Sequence, residues 1–291
     1  MARILAISSQ VARGTVGLSI IVPALHALGH EVIALPTVIL SNHPGHAHSA
    51  GQPVAPQTLH KMLDALKANG WLTGINAVLT GYLPSIEHVA FAATAIKSAH
   101  AANPRKRVMV LCDPVLGDDP KGLYIDARAA AAIRDQLLPI ADVATPNRFE
   151  LSFLSGSEIR TADDAIENHL ECPATFATSI PSDRHGELIN TMYAIGEQGT
   201  ARVPIRENAP HGTGDLFAAL LLSALFTQPS HESALAFATA GVDAVLAASI
   251  GNDALNLSAL PRLETQLKWP VDMAAPSPRD APLIVLAPEQ P

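Results

Sequence analysis

The chain of 291 residues has two cysteines, Cys112 and Cys172, no lysine- or arginine-rich run, and no long uninterrupted apolar stretch. Two cysteines without metal-ligand spacing exclude a disulfide framework and a thiolate metal site, and predict reduced thiols. The missing basic run, with a formal net charge of −8, argues against nucleic acid as the main partner, since nothing offers a footprint for a phosphate backbone. No stretch approaches the roughly 18 apolar residues of a membrane span. The start, Met1-Ala2-Arg3-Ile4-Leu5-Ala6-Ile7-Ser8-Ser9, lacks the apolar segment and small-residue cleavage site of a secretory signal and reads as a first strand. A cytoplasmic location is the expectation. Any phosphate ligand would then be held by backbone amides, a metal and a few local side chains.

What remains is ample for a core, with 48% hydrophobic and 16% charged residues; this composition places the chain among globular proteins. No linker divides it, and no internal repeat is found. The expectation is one domain over residues 1–269, followed by a proline-rich tail at 270–291 that is either extended on the body or disordered. Apolar runs at 3–8, 31–40, 77–81, 107–115, 143–145 and 174–180 read as strands. Helical patterns fall between them at 16–28, 57–69, 86–102, 126–138 and 162–170. This alternation predicts an α/β fold, a mainly parallel central sheet with helices on both faces. A hairpin is expected from 187–196 and 200–205, turning around Gly199, with later helices at 232–249 and 258–268.

In such sheets ligands bind beyond the carboxyl ends of the strands, and polar residues collect there. Asp113 ends one strand, where a carboxylate either initiates a turn before Pro114 or organises a hydrated cation. Thr145-Pro146-Asn147-Arg148-Phe149-Glu150 follows another. Its i, i+3 pair Asn147 and Glu150 either orients metal-bound waters or belongs to a helix entry capped by Thr145.

The sharpest signal is His211-Gly212-Thr213-Gly214-Asp215, directly before an apolar helix-forming run. Unpaired amides and a positive dipole at a helix start stabilise developing negative charge, and glycines let the backbone approach a phosphate. Asp215 could there accept a proton from an attacking hydroxyl. The same pattern is also a common loop-to-helix entry with Asp as the cap.

With these stand Ile7-Ser8-Ser9-Gln10-Val11-Ala12-Arg13-Gly14-Thr15-Val16-Gly17, Ser41-Asn42-His43-Pro44-Gly45, Leu79-Thr80-Gly81-Tyr82 and Cys112-Asp113-Pro114-Val115-Leu116-Gly117-Asp118. In this order the blocks resemble the pyridoxal kinases of the ribokinase-like superfamily, the longer eukaryote-type enzymes more than the short bacterial ones. The resemblance implies ATP-dependent phosphorylation of the 5′-hydroxyl of pyridoxal, and of pyridoxine and pyridoxamine, in vitamin B6 salvage. It makes Asp215 the base and the Gly212-Thr213-Gly214 amides the anion hole. It sets Ser9 against the pyridine ring, with His43, Pro44, Gly45 and Tyr82 lining the vitamin pocket. Asp113, Thr145, Glu150, Thr178 and Thr213 would face ATP and its cations, with Asp113, Asn147 and Glu150 serving magnesium. It also implies potassium and a homodimer.

Departures from the family pattern are Pro44 in place of threonine, Ser8-Ser9-Gln10 in place of Gln-Ser-His, and a shorter loop at Asp118-Asp119-Pro120-Lys121-Gly122. The alternatives are a hydroxymethylpyrimidine kinase on the same scaffold and a non-catalytic vitamin B6-binding protein. The three histidines His43, His46 and His48 have no acidic or thiol neighbour in sequence and are read as a substrate-side loop, not a metal cluster.

Overall fold

A computed structural model describes residues 1–262. The expected tail at 270–291 and the end of the helix expected at 258–268 lie outside the described residues; the described part of that helix is a short 3₁₀ turn, Leu257–Arg262.

The parallel part of the sheet is built from β1 (Arg3–Val11), β2 (Glu31–Leu40), β4 (Ala77–Thr80), β5 (Met109–Cys112), β8 (Val143–Ala144) and β9 (Ala174–Pro181). β3 (Gly51–Pro53) pairs antiparallel with β2, and β10 (Glu187–Ala194) and β11 (Glu197–Pro204) extend the other edge antiparallel. The nine strands run β11-β10-β9-β8-β5-β4-β1-β2-β3. A second ribbon pairs β6 (Gly117–Asp118) with β7 (Gly122–Leu123).

Strand periodicity sends alternate residues to opposite faces, and each face has its own core. Leu5, Ile7, Val78, Val110 and Cys112 pack under α2 (Pro56–Ala68), α3 (Ile86–Ala102), α4 (Ala127–Ala132), α5 (Arg148–Ser155) and α6 (Ala162–Glu167). Ile4, Ala6, Leu79, Leu111, Val143 and Phe176 pack under α1 (Leu18–Ala27), α7 (Thr213–Thr227) and α8 (His231–Ala248). Every residue of α7 from Leu216 to Ala224 is buried, as a helix apolar all round must be. At roughly 2 kcal/mol per buried leucine, this packing anchors the helix start rigidly.

The expected α/β architecture is the one observed. The strand expected at 107–115 spans only Met109–Cys112; at its carboxyl end Pro114 has no N–H to donate to a ladder. The hairpin turns at Ile195-Gly196 and not at Gly199: Gly196 supplies the positive φ of 81° while Gly199 lies inside β11 opposite Met192. The helix expected at 126–138 changes at Ile133 to a wider π winding through Leu137. Among the described residues no helix is long and apolar enough to cross a membrane.

Candidate active site

The carboxyl ends of β1, β4, β5, β8 and β9 lie along one edge of the sheet and bring together residues from Ser8 to Thr178. The start of α7 meets the same edge. Gly212 is the N-cap of α7, in the left-handed region with φ 104°. A Cβ there would overlap the carbonyl of Thr15, so glycine is what allows the segment from β1 to lie against this helix start. Asp215 is therefore not the cap. It stands at the third helical position, and its Oδ2 accepts the backbone N–H of Gly17 at 2.9 Å. The N–H groups of the first helical turn point out of the helix beside this carboxylate. Burial pushes the Asp215 carboxyl up to about 6, against the pull of the Gly17 amide. That value suits a base working near neutral pH.

The floor next to Asp215 is made by β1 and β4. The hydroxyl of the fully buried Ser8 accepts the N–H of Tyr82 at 3.1 Å. A Cβ on Gly81 would crowd that hydroxyl and come within 3.9 Å of Asp215 Oδ1, so the bare glycine keeps the space in front of the carboxylate open. Ser9 sits beside Gly17, its carbonyl and hydroxyl both occupying the space that a Cβ on Gly17 would need. Tyr82 is partly buried at the end of β4, its carbonyl accepting the Thr37 hydroxyl at 2.7 Å.

The two acidic residues Asp113 and Glu150, with the amide of Asn147, line the same edge. Asp113, 5% exposed, accepts the Thr145 hydroxyl at 2.9 Å on Oδ1. Thr145 is thus not the cap of α5. Asn147 is, in a complete capping box: its Oδ1 accepts Glu150 N–H at 2.9 Å and Glu150 Oε2 accepts Asn147 N–H at 2.8 Å. The same two side chains also hold β6, through Leu116 N–H to Glu150 Oε1 at 2.9 Å and Asn147 Nδ2 to the Gly117 carbonyl at 2.9 Å. The helix-entry reading of Asn147 and Glu150 is the one observed, and Glu150 Oε1 also takes the Gly117 N–H at 3.5 Å. Burial, reinforced by the charge of Asp215, raises Asp113 to about 8. Burial and the charge of Asp113 raise Glu150 as well, opposed by backbone N–H donors. Thr178 joins this edge through its N–H to the Pro146 carbonyl at 2.9 Å and its bridge to Asn147.

The loop carrying His43, Pro44 and Gly45 lies against His211, just before the start of α7. His43 stacks on His211 with ring centroids 3.8 Å apart, and His46 meets the same ring edge-on at 6.4 Å. His43 Nδ1 accepts Gly45 N–H at 3.1 Å. Burial, His211, Lys121 and His46 together hold His43 down at about 4, so it is neutral at physiological pH. The short ribbon of β6 and β7 is pinned to α5 by an ion pair between Arg148 and Asp119. Sequence reasoning missed Ser8, the Gly17 amide and the His211 stack. Glycine spacing hints at the second, but nothing local points to a histidine partner 168 residues away.

A carboxylate in the first turn of α7, near the carboxyl groups of Asp113 and Glu150 at the same sheet edge, defines a ribokinase-like phosphotransferase. The phosphomethylpyrimidine kinase family model matches residues 21–258. Over 92% of its length the chain is 34% identical to a pyridoxal kinase, PdxY, of Rubrobacter xylanophilus, covering 94% of that protein. It is 32% identical to the pyridoxal kinase of Sus scrofa over 79% of this chain and 76% of that one. The solved pyridoxal kinase of Leishmania donovani in complex with ADP and pyridoxamine superposes with a TM-score of 0.83 at 30% identity, over 91% of this chain and 96% of the other. That from Entamoeba histolytica gives 0.85 at 27% identity, over 94% and 99%. The chain belongs to the pyridoxal kinase family.

Proposed function

We propose that the chain transfers the γ-phosphoryl group of ATP to the 5′-hydroxyl of pyridoxal, and also of pyridoxine and pyridoxamine, yielding the 5′-phosphates and ADP in vitamin B6 salvage. The observation that carries this reading is the pairing of Asp215 with Gly17 at the start of α7, in front of the open floor at Gly81. The 5′ oxygen attacks the γ-phosphorus in line as its proton passes to Asp215, the bond between that phosphorus and the bridging oxygen breaks, and ADP leaves with that oxygen. The amides of Gly212, Thr213 and Gly214 stabilise charge on the transferring group. No covalent enzyme intermediate is needed; catalysis is positioning and charge stabilisation.

Ser9, the His43-Pro44-Gly45 loop and Tyr82 are the vitamin side of this reading; Asp113, Thr145, Glu150, Thr178 and Thr213 are the nucleotide side. Asp113, backed by Asn147 and Glu150, suits magnesium, a hard cation that takes one or two carboxylates and keeps several waters. The upward shifts of Asp113 and Glu150 support this, since crowded carboxylates gain from a neighbouring cation. Magnesium, when bound with the nucleotide, supplies neutralisation of phosphate charge. Potassium, a homodimer and a cytoplasmic location rest on the family likeness, the last supported by two buried free cysteines. A single kinase domain over residues 1–269 is supported by one sheet with a continuous core on each face.

The deciding experiment is a coupled ADP-release assay with pyridoxal, magnesium and potassium. Pyridoxal-dependent ADP formation is expected; tight pyridoxal binding without ADP would replace the kinase by a vitamin-binding protein. The family model's own name favours a second reading, hydroxymethylpyrimidine as acceptor. Competition between the two acceptors separates them, with pyridoxal expected to win.

A further inference from the structure

At the end of β9 the ladder with β10 breaks step. Ile189 pairs with Ile180 and Thr191 with Ala177, so Thr178 and Ser179 together oppose the single residue Asn190. This is a β-bulge, and its left-handed residue is one that such bulges usually give to glycine. Here it is Ser179, at φ 62°. The side chain of Asn190 fills the gap: its Oδ1 accepts the Ser179 N–H at 3.1 Å, and its Nδ2 donates to the Thr239 hydroxyl on α8 at 3.0 Å. Asn190 is 8% and Thr239 1% exposed, so both bonds are made out of water, where leaving a partner unmatched is costly. On the other side of the bulge Thr178 is tied to Pro146 and Asn147.

We infer that Asn190 is a positioning residue for nucleotide: braced by Thr239, it holds Ser179 in the left-handed bulge that sets Thr178 beside Asn147 at the phosphate side of the cleft. Asn190 does not touch the nucleotide; it acts through two backbone positions. The inference rests on the reading of Thr178 as a nucleotide-facing residue.

The distinctive consequence is a rescue. Glycine adopts φ near 60° without assistance, so Ser179→Gly removes the need for the brace. In the full-length protein, ADP titration calorimetry and the KM for ATP are measured for wild type, Asn190→Ala, Ser179→Gly and the double variant. Asn190→Ala is expected to weaken ADP binding and raise the KM for ATP about tenfold, with kcat changed far less. Ser179→Gly stays near wild type, and the double variant recovers to within about threefold of it. Thr239→Val, nearly isosteric, gives a smaller change of the same sign and stands in if Asn190→Ala does not fold. Amide exchange at Ser179 reads the bulge without any ligand and is expected to quicken in Asn190→Ala. A double variant no better than Asn190→Ala, or an unchanged Ser179 amide, overturns the inference. A wild type that binds no ADP but shows the exchange effect would instead sink the kinase reading and leave the bracing of the bulge intact.

Discussion

Gly17 and Asp215 stand 198 residues apart, and the backbone N–H of the first donates to Oδ2 of the second at 2.9 Å. The bond fixes the carboxylate's orientation while Oδ1 faces the gap beside Gly81. Asp215→Asn keeps the shape but loses the basic oxygen. It is expected to lower kcat by about 10²–10⁴-fold while ADP affinity stays within a few-fold. Steady-state turnover and calorimetry on the same preparation check both, and wild-type-like turnover would remove Asp215 from its role.

Gly212 has no tolerated substitute. A Cβ would meet the Thr15 carbonyl at a φ of 104°, so Gly212→Ala is expected to destabilise the fold by at least about 1–2 kcal/mol from the left-handed backbone alone. Thermal melts read the loss, and activity should fall further than stability because the helix start shifts away from Gly17.

The carboxyl of Asp215, raised by burial to about 6, must be deprotonated to act as base. The rate therefore climbs as pH rises through about 6 and levels off above it. A kcat/KM profile flat between pH 5 and 7.5 would contradict this.

Asp113 carries a stability signature of opposite sign. Burial and then Asp215 raise its folded value from 3.8 to about 8, so the folded state holds the proton more tightly than the unfolded chain. The stabilisation is complete below 3.8 and is lost as pH rises through about 8. Denaturant midpoints in magnesium-free buffer are expected to decline over that window in the wild type and to decline less in Asp113→Asn.

The ring of His211 supports His43 face to face. An aromatic pair of this kind is worth about 0.5–1.5 kcal/mol, so His211→Ala should raise the KM for pyridoxal about 2–10-fold with kcat within about twofold. Equal losses in kcat and kcat/KM would instead assign His211 to the chemical step.

Much of the architecture was legible because its signals are local. Ile4 to Ile7, Ala77 to Leu79 and Val110 to Leu111 are apolar on both faces, which only a sheet covered on both sides tolerates, and the spacing of Leu216 to Ala224 announces a buried helix. Boundaries were less legible where a single backbone angle decides them, as at Gly196, which turns the hairpin that Gly199 was expected to turn. The cap of α5 was left open for a related reason: threonine before proline fits a helix cap or a strand-end residue equally, and the bond to Asp113 selects the second.

The sequence by itself determined the layered α/β plan, the helix start at Gly212-Thr213-Gly214 and which acidic residues end strands, since periodicity, glycine and proline act over a few residues. Only the tertiary structure decided that Asp215 turns to Gly17 and not to its own helix, that His43 meets His211, and that Asn190 braces Ser179. Those contacts join segments far apart in the chain, and their geometry is set by how helices pack on the sheet, a property that no short stretch of residues contains.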